Sequence, residues 1–428
     1  MLATRGARQN EKESLLTPLS SPTGALDPVG SGKSSKRSSY DTSAKDGEVA
    51  SQSSLVFWIT QEGSLLVLAV AGLMFATALE RVTFKMSVDH MTPFRLVLTQ
   101  TVLATSVVVY GVIALAKRGL TNQVTAEMHQ FPHSKLILMA LLDTVQFSCL
   151  VASAAGVTPT MTVILLHAST PVIVLGSRLL FPDRIYTDLQ LRGVTLIASA
   201  VIIGFVGEMV KLSGTSSSFL YVLAAAMQGA ATLYKEKAII DWKQPIDVHT
   251  LSTWIFFYQT MCVVVLMPAI YVLQGVSSNW YGFPLSSLTI NLRDGLTCLW
   301  GENTFYSQGD DGGTQLREEP YDSKYEDCEY SFALVVAYVL SNVLVLACMD
   351  RVLQTGVHAV GRATAAAVML AFCALGVYDM LVDKGDEIFG ATVGVPDLVS
   401  IVVLLAGLEM YARDPPPEGL TIVVGQGP

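Results

Sequence analysis

Charge is what this chain has least of. Asp, Glu, Lys and Arg make up 15% of its 428 residues, against about a quarter in soluble domains. A water-soluble body is therefore not expected. No stretch gathers the basic face that nucleic acid needs, so nucleic acid is not an expected partner. The full Gly-x4-Gly-Lys-Ser/Thr pattern that cradles ATP phosphates is missing, which leaves a gradient as the expected driving force. No metal-ligand cluster and no nucleophile–base pattern occurs, so neither an enzyme nor a cofactor is expected. Period-2 alternation is missing from the long apolar runs, which argues against a membrane barrel. No cleaved signal peptide is evident: the first apolar run begins near residue 55 and is already long enough to span.

What is there is apolar sequence, 51% of the chain. A spanning helix needs roughly 20 such residues, and ten segments qualify. They cover 64–86, 93–116, 136–155, 161–181, 191–211, 219–240, 251–273, 332–353, 357–382 and 391–411. The predicted fold class is all-α integral membrane, with one ten-helix domain over 55–411. The run 55–60 reads as an interfacial turn before it. Residues 1–54, rich in Ser, Gly, Lys and Asp, read as a disordered tail, and 412–428 as a second tail.

Lys and Arg in short loops set the orientation. Lys117, Arg118 and Lys135 fall between segments 2 and 3, and Arg178, Arg184 and Arg192 flank the 4–5 connection. Lys235, Lys237 and Lys243 flank the 6–7 connection, and Arg351 and Arg362 the 8–9 connection. The alternate loops are poorer, so both termini are expected in the cytosol. The long loop 275–331 is then expected to be lumenal or extracellular. It carries Arg293, Arg317 and Lys324 against ten acidic residues, and so holds most of the chain's net charge of −9. Cys298 and Cys328 are its one cysteine pair. An oxidising lumen favours a disulfide between them, with two free thiols as the alternative. Cys149, Cys262, Cys348 and Cys373 lie in apolar segments and read as small buried hydrophobes.

The chain also resembles itself. LLVLAVAGLMFATALERVTFKM in segment 1 parallels FLYVLAAAMQGAATLYKEKAII in segment 6, and each is followed by a span containing Gln (Gln100, Gln259). Five helices is an odd number, so two such halves are inverted. Inverted repeats mark secondary transporters with a mid-membrane site.

Ionisable groups inside a span are functional by default. Asp143, mid-segment 3, is a candidate for a proton or a cationic group, with a structural hydrogen bond as the alternative. His167, mid-segment 4, is followed by Ser169, Thr170 and Pro171. Its ordinary titration range suits an acidic lumen, while a lone His in an apolar helix is otherwise a satisfied core residue. Pro171 can kink the helix and gate it, or simply pack. Arg81 is a candidate for anionic or zwitterionic solutes, with Glu80 beside it as a local partner. Lys85 is a coupling candidate whose alternative is a snorkelling anchor. Lys235 and Glu236 form either a gate or positive-inside anchors. Ser169, Thr170, Tyr258, Gln259, Tyr338, Asn342 and Thr364 are solute-binding candidates, and Arg362 is a gating one. In the tail, Glu11 precedes Leu15-Leu16 by four residues, as in a dileucine signal for endolysosomal membranes.

Several stretches together resemble one family. NLRDGLTCLWGEN and DCEYSFALVVAYVLSNVLVLACMDR are similar to the lumenal loop and eighth helix of chloroquine-resistance-transporter-like proteins, of the drug/metabolite transporter superfamily. ERVTFK, PHSKLILMALLDT, LLHASTP and FFYQT follow the family in order, over roughly 60–412. The resemblance implies two inverted five-helix halves around a cavity. It also implies proton- or potential-coupled export of small solutes from an acidic compartment. Amino acids, short peptides, cationic drugs and glutathione-type thiols are the implied solute classes. The chain departs from the family at Ser341, where an acid is usual, at His167, where a Gln is usual, and at Arg362, where a small neutral residue is usual. A second loop cysteine pair is missing.

The expected function is a secondary transporter of small polar solutes, working by alternating access in a vacuolar or endolysosomal membrane. A plastid envelope is the alternative location. Partners are the solute, protons and the bilayer, with no oligomeric state implied. A nucleotide-sugar or sugar-phosphate exchanger and a non-transporting membrane scaffold are the alternative functions.

Overall fold

The computed structural model describes residues 61–121, 131–182, 184–210, 215–242, 247–277, 285–302, 306–308, 314–316, 328–355, 357–382 and 394–413. Residues 1–60, which include the 55–60 turn, residues 414–428, and 278–284, 303–305, 309–313 and 317–327 of the acidic loop lie outside the described residues.

Continuous apolar sequence gives long helices. They are α1 (Gln61–His90), α2 (Arg95–Thr121), α3 (His133–Ala154), α4 (Pro159–Leu166), α5 (Ser169–Leu180) and α6 (Asp188–Val210). Then follow α7 (Thr215–Ile240), α8 (Val248–Ser277), α9 (Leu288–Leu299), α10 (Ser331–Thr355), α11 (Val357–Val382) and α12 (Val395–Arg413). A single 3-10 turn, Thr92–Phe94, joins α1 to α2.

Among the described residues, nine helical stretches are long and apolar enough to cross a membrane, with α4 and α5 counted as one. The protein is a multi-pass membrane protein. The helix α7, where sequence places the sixth segment, is outside those nine. Ser216, Ser217 and Ser218 near its start and Lys235-Glu236-Lys237 near its end dilute its apolarity.

The outer surface is apolar: Leu68, Phe75, Val108, Val112, Leu179, Val265 and Val402 are all exposed. A patch of that extent has to be covered, and a bilayer covers it.

The main packing pairs are α1 with α10 and α11, α3 with α7 and α8, α2 with α8 and α10, α5 with α6 and α7, and α12 with α6 and α11. Glycine sets the tightest of these. A Cβ on Gly193 of α6 would stand 2.7 Å from the Tyr411 nitrogen and 2.8 Å from the Gly407 oxygen, both backbone atoms of α12. Small residues permit such approach between membrane helices.

Segment 4 is two helices, not one. Pro171 has no N–H to give the carbonyl of His167, and its ring crowds that carbonyl. The His167 oxygen instead accepts from Thr170 N at 3.0 Å, and His167 N and Ala168 N bond back three residues to Ile164 and Leu165. The break is therefore centred on His167–Ala168, one turn before the proline.

The acidic loop holds more structure than its charge implies. Besides α9 it contains a two-stranded antiparallel ribbon, β1 (Tyr306–Gln308) with β2 (Thr314–Leu316). Cys298, at the end of α9, is disulfide-bonded to Cys328, just before α10. Asn291 donates to the Pro93 carbonyl at 2.9 Å, and Gly295 lies against Phe94 and Val97. These contacts pin α9 over the α1–α2 turn.

Candidate functional site

A cavity of ≈ 220 Å³ opens between α2, α3, α7, α8 and α10. Its polar lining includes Ser106, Asp143, Gln228, Gln259 and Asn342. Each lies within a few residues of the middle of its own helix, so the cavity sits at mid-membrane depth. Phe147, Phe256, Leu103 and Val339 supply its apolar walls.

The one ion pair in the cavity lining joins Asp143 of α3 to Lys235 of α7, Nζ to Oδ2 at 2.5 Å. Lys235 reaches mid-membrane from near the end of α7 because side chains lean toward their helix N-terminus. Gln259 is 3% exposed, and its amide oxygen has no hydrogen-bond partner among the described residues. The Gln228 oxygen is equally unpartnered. Buried polar atoms normally have partners, so both are unused acceptors within the wall of the cavity. Tyr110 donates to the Asn342 carbonyl oxygen at 3.0 Å and ties α2 to α10 on the same wall.

Of the residues singled out from sequence, Asp143, Lys235, Gln259, Tyr338 and Asn342 meet at this cavity. The others lie elsewhere. Arg81 forms an ion pair with Glu80 at 3.0 Å, and its charge reaches Tyr221, Tyr338 and His167. This second polar cluster touches the cavity only through Tyr338. His167 is half-buried at the α4–α5 break, and Ser169 bonds back to Leu166 O at 2.9 Å. Gly229 of α7 packs on this break, its absent Cβ only 2.7 Å from the Ser169 carbonyl. Thr364 is half-buried on α11.

Tyr258 is outside the cavity, hydrogen-bonded to His133 Nδ1 at 2.9 Å within an aromatic group that includes Trp254 and Phe257. Glu236 turns away from Lys235 and pairs with Arg184 in the α5–α6 connection, so Lys235 and Glu236 are not paired with each other. Lys85 is not a snorkelling anchor. Its side chain is 4% exposed, paired with Asp89 at 2.9 Å and donating to the carbonyls of Ala154 at 2.8 Å and Val157 at 3.2 Å. It closes the C-terminal end of α3, where carbonyls lack helical partners. The side chain of Arg362, and all of Glu11, Leu15 and Leu16, lie outside the described residues.

Sequence reasoning missed Gln146, Gln228, Thr232 and Ser106, which also line the cavity. The signal was present for two of them. Gln146 and Gln228 are amides inside spans, as Gln259 and Asn342 are.

A family model for CRT-like, chloroquine-resistance transporter-like proteins matches residues 65–411. The chain belongs to the CRT-like family. Its similarity extends to Crt homolog 3 of Dictyostelium discoideum, 24% identical over 53% of this chain and 48% of that protein. Protein CLT3, chloroplastic, of Arabidopsis thaliana is 26% identical over 55% of this chain and 52% of that protein. The Chloroquine resistance transporter of Toxoplasma gondii is 24% identical over 77% of this chain and 36% of that protein. The chain thus spans about half the length, or less, of these curated relatives. The matched region runs from within α1 to within α12, so the cavity belongs to the CRT-like part of the chain.

Proposed function

We propose that this CRT-like protein is a secondary transporter of small polar solutes that carry an amine, such as amino acids, short peptides and glutathione-type thiols. The observation that carries the proposal is a mid-span cavity holding one carboxylate–ammonium pair and two unpartnered amide oxygens. Such a lining suits a solute with both charges and N–H donors. It offers no excess of negative charge for a cationic drug and a single cation for a phosphate. In this reading Asp143, Lys235, Gln259, Tyr338 and Asn342 contact the solute, while the His167–Pro171 break lets α5 move relative to α4.

The architecture we propose is two inverted five-segment repeats, with α7 as the sixth span. The counterparts are α1 and α7, α2 and α8, α3 and α10, α4/α5 and α11, and α6 and α12. Helix packing supports this. Exchanging counterparts turns the α1–α10 pair into α7–α3, α1–α11 into α7–α5, α2–α10 into α8–α3, and α5–α6 into α11–α12. The pairs α2–α8, α6–α12 and α4–α11 map onto themselves. Alternating access then rocks one half against the other, driven by a proton or potential gradient.

The Lys and Arg distribution supports cytosolic termini. The Glu11–Leu16 signal favours an acidic vacuolar or endolysosomal membrane, while the chloroplastic Arabidopsis relatives favour a plastid envelope. Imaging of a C-terminally tagged chain decides between them.

The functional test is reconstitution in liposomes with an imposed pH gradient, acid on the loop side, and a panel of labelled amino acids, dipeptides, glutathione and nucleotide sugars. Gradient-dependent flux of the amine-bearing solutes is expected. Flux of nucleotide sugars alone moves the protein to an exchanger. Flux of nothing on the panel removes the transport reading and leaves the scaffold.

A further inference from the structure

Asp143 is a carboxylate at mid-membrane depth, 8% exposed, with Phe147 and Phe256 among its cavity neighbours. A charge in that setting needs a partner in every state the protein visits, because a bare buried charge is strongly destabilising. In the empty cavity the partner is Lys235. The Lys235 side chain is 33% exposed against 11% for Asp143, so the lysine occupies the open side and the aspartate the closed side. A lysine ammonium is a compact charge on a flexible four-carbon stem, which is able to swing away without moving its helix. Glu236, the next residue on α7, is already held by Arg184 and does not compete for Lys235. Tyr338 is the other titratable side chain in the lining.

We propose that Lys235 is a built-in stand-in for the ammonium group of the solute. An entering amino-bearing solute places its own ammonium on Asp143, with the unpartnered Gln259 oxygen accepting a second N–H. The displaced Lys235 then takes the solute carboxylate. One ion pair becomes two, and every charge has a partner both before and after, so neither the loaded nor the empty carrier holds a bare ion. On release Lys235 returns to Asp143, and the empty cavity is neutral enough to reorient. Lys235 is therefore the residue that lets the protein move solute in one direction instead of only swapping solute for solute. This rests on the proposed transport of amine-bearing solutes through this cavity.

The test compares two modes in the same liposomes, using a uniformly labelled mixture of the protein amino acids. Net efflux into solute-free buffer requires the empty carrier to return, whereas exchange against unlabelled mixture does not. Lys235→Met leaves Asp143 bare when empty, and Asp143→Asn leaves Lys235 bare. Each is expected to lower the ratio of net efflux to exchange by at least about tenfold, whatever it does to exchange itself. The double variant Asp143→Asn/Lys235→Met has no buried charge to leave unpaired, and its ratio returns to within about threefold of the wild-type value. Lys235→Arg keeps the wild-type ratio. Ratios unchanged in both single variants, or a double variant as low as the singles, overturn the proposal. If one single variant is not recovered folded, the other single and the double decide by the same ratio. A wild-type protein silent in both modes overturns the amino-acid transport reading itself, and this inference with it.

Discussion

Lys85 offers the sharpest stability test, because the structure gives it a role unlike a gate. Its ammonium has three hydrogens, and three acceptors surround it: Asp89, the Ala154 carbonyl and the Val157 carbonyl. Methionine has nearly the same length and no donor, so Lys85→Met keeps the packing and removes all three bonds. Breaking a buried ion pair from one side costs about 3–5 kcal/mol. Asp89 retains Tyr378, whose hydroxyl donates to its other oxygen at 3.0 Å, so the loss belongs at the lower end, about 3 kcal/mol. For a chain of this size that lowers the melting midpoint by on the order of 3–4 °C. Replacing Asp89 as well removes the stranded charge while leaving an acceptor for Tyr378. Lys85→Met/Asp89→Asn is therefore expected to recover at least about 1 kcal/mol relative to the single variant. The assay is thermal unfolding of purified protein in one detergent. A Lys85→Met melt at the wild-type temperature refutes the reasoning, as does a double variant no more stable than the single. Lost flux with an unchanged melt would return Lys85 to a gating role.

Three further outcomes follow from other contacts. Replacing Cys298 and Cys328 by serine opens a loop with a sequence separation of 30 and is expected to cost about 3–4 kcal/mol through the unfolded state; a melt matching that of the oxidised protein refutes this. Gly193→Ala drives a methyl into the α12 backbone and should cost about 1–3 kcal/mol, whereas Gly119→Ala, with nothing within 4 Å of its Cβ, should be neutral or slightly stabilising in the same melts. Asp247 sits before α8, where burial alone would raise its carboxyl. Thr250 N–H at 2.9 Å and Lys117 at 3.0 Å instead hold it below the usual aspartate range. Its stabilisation is then complete above about pH 4 and is lost as pH falls through the depressed folded value. The melt of Asp247→Asn should lie below wild type at neutral pH by about 1 kcal/mol, and the two should converge only under strongly acid conditions; a gap that persists there refutes the assignment.

The spans were legible because uninterrupted apolar runs leave a chain in lipid no option but helices. Eleven helices lie where apolar sequence put them, and the ends moved by only a few residues. The exception within them is segment 4. Pro171 advertised a disturbance, but the carbonyl it crowds belongs to His167, so the break falls a turn earlier than the proline suggests. In the 275–331 loop the acidic composition masked α9. Its buried positions Asn291, Gly295, Cys298 and Leu299 follow helical spacing, but one of them is a glycine and one an amide, so apolarity alone does not reveal the pattern. The site was harder to read. Asp143 and Lys235 stood out as charges inside or beside spans, yet nothing local says that residues on separate helices meet. Gln146 and Gln228 were passed over because a neutral amide in an Ala-rich or Leu-rich run barely alters its apolarity. Lys85 misled for the opposite reason: a lysine near a helix end snorkels unless carbonyls are waiting, and those waiting here belong to another helix.

The proposed repeat gives the two polar clusters a common origin and explains why they differ. When LLVLAVAGLMFATALERVTFKM is laid over FLYVLAAAMQGAATLYKEKAII, Arg81 falls opposite Lys235. Each half thus supplies one cation at the same depth of its first helix. The counterpart helices that receive them, α10 for α1 and α3 for α7, are equivalent as well. Only α3 carries an acid there, so Lys235 pairs across the helix boundary with Asp143. On α10 the polar residues at that depth are Ser341 and Asn342, Ser341 bonding to its own backbone and Asn342 to Tyr110. Arg81 accordingly turns to Glu80 on its own helix. An ion pair within one helix is untouched by what enters the cavity, whereas a pair that lines the cavity between two helices is open to exchange with an entering solute. In the proposed cycle it is therefore the α3–α7 side that senses whether the cavity is filled, and the α1–α10 side that keeps its charges paired throughout.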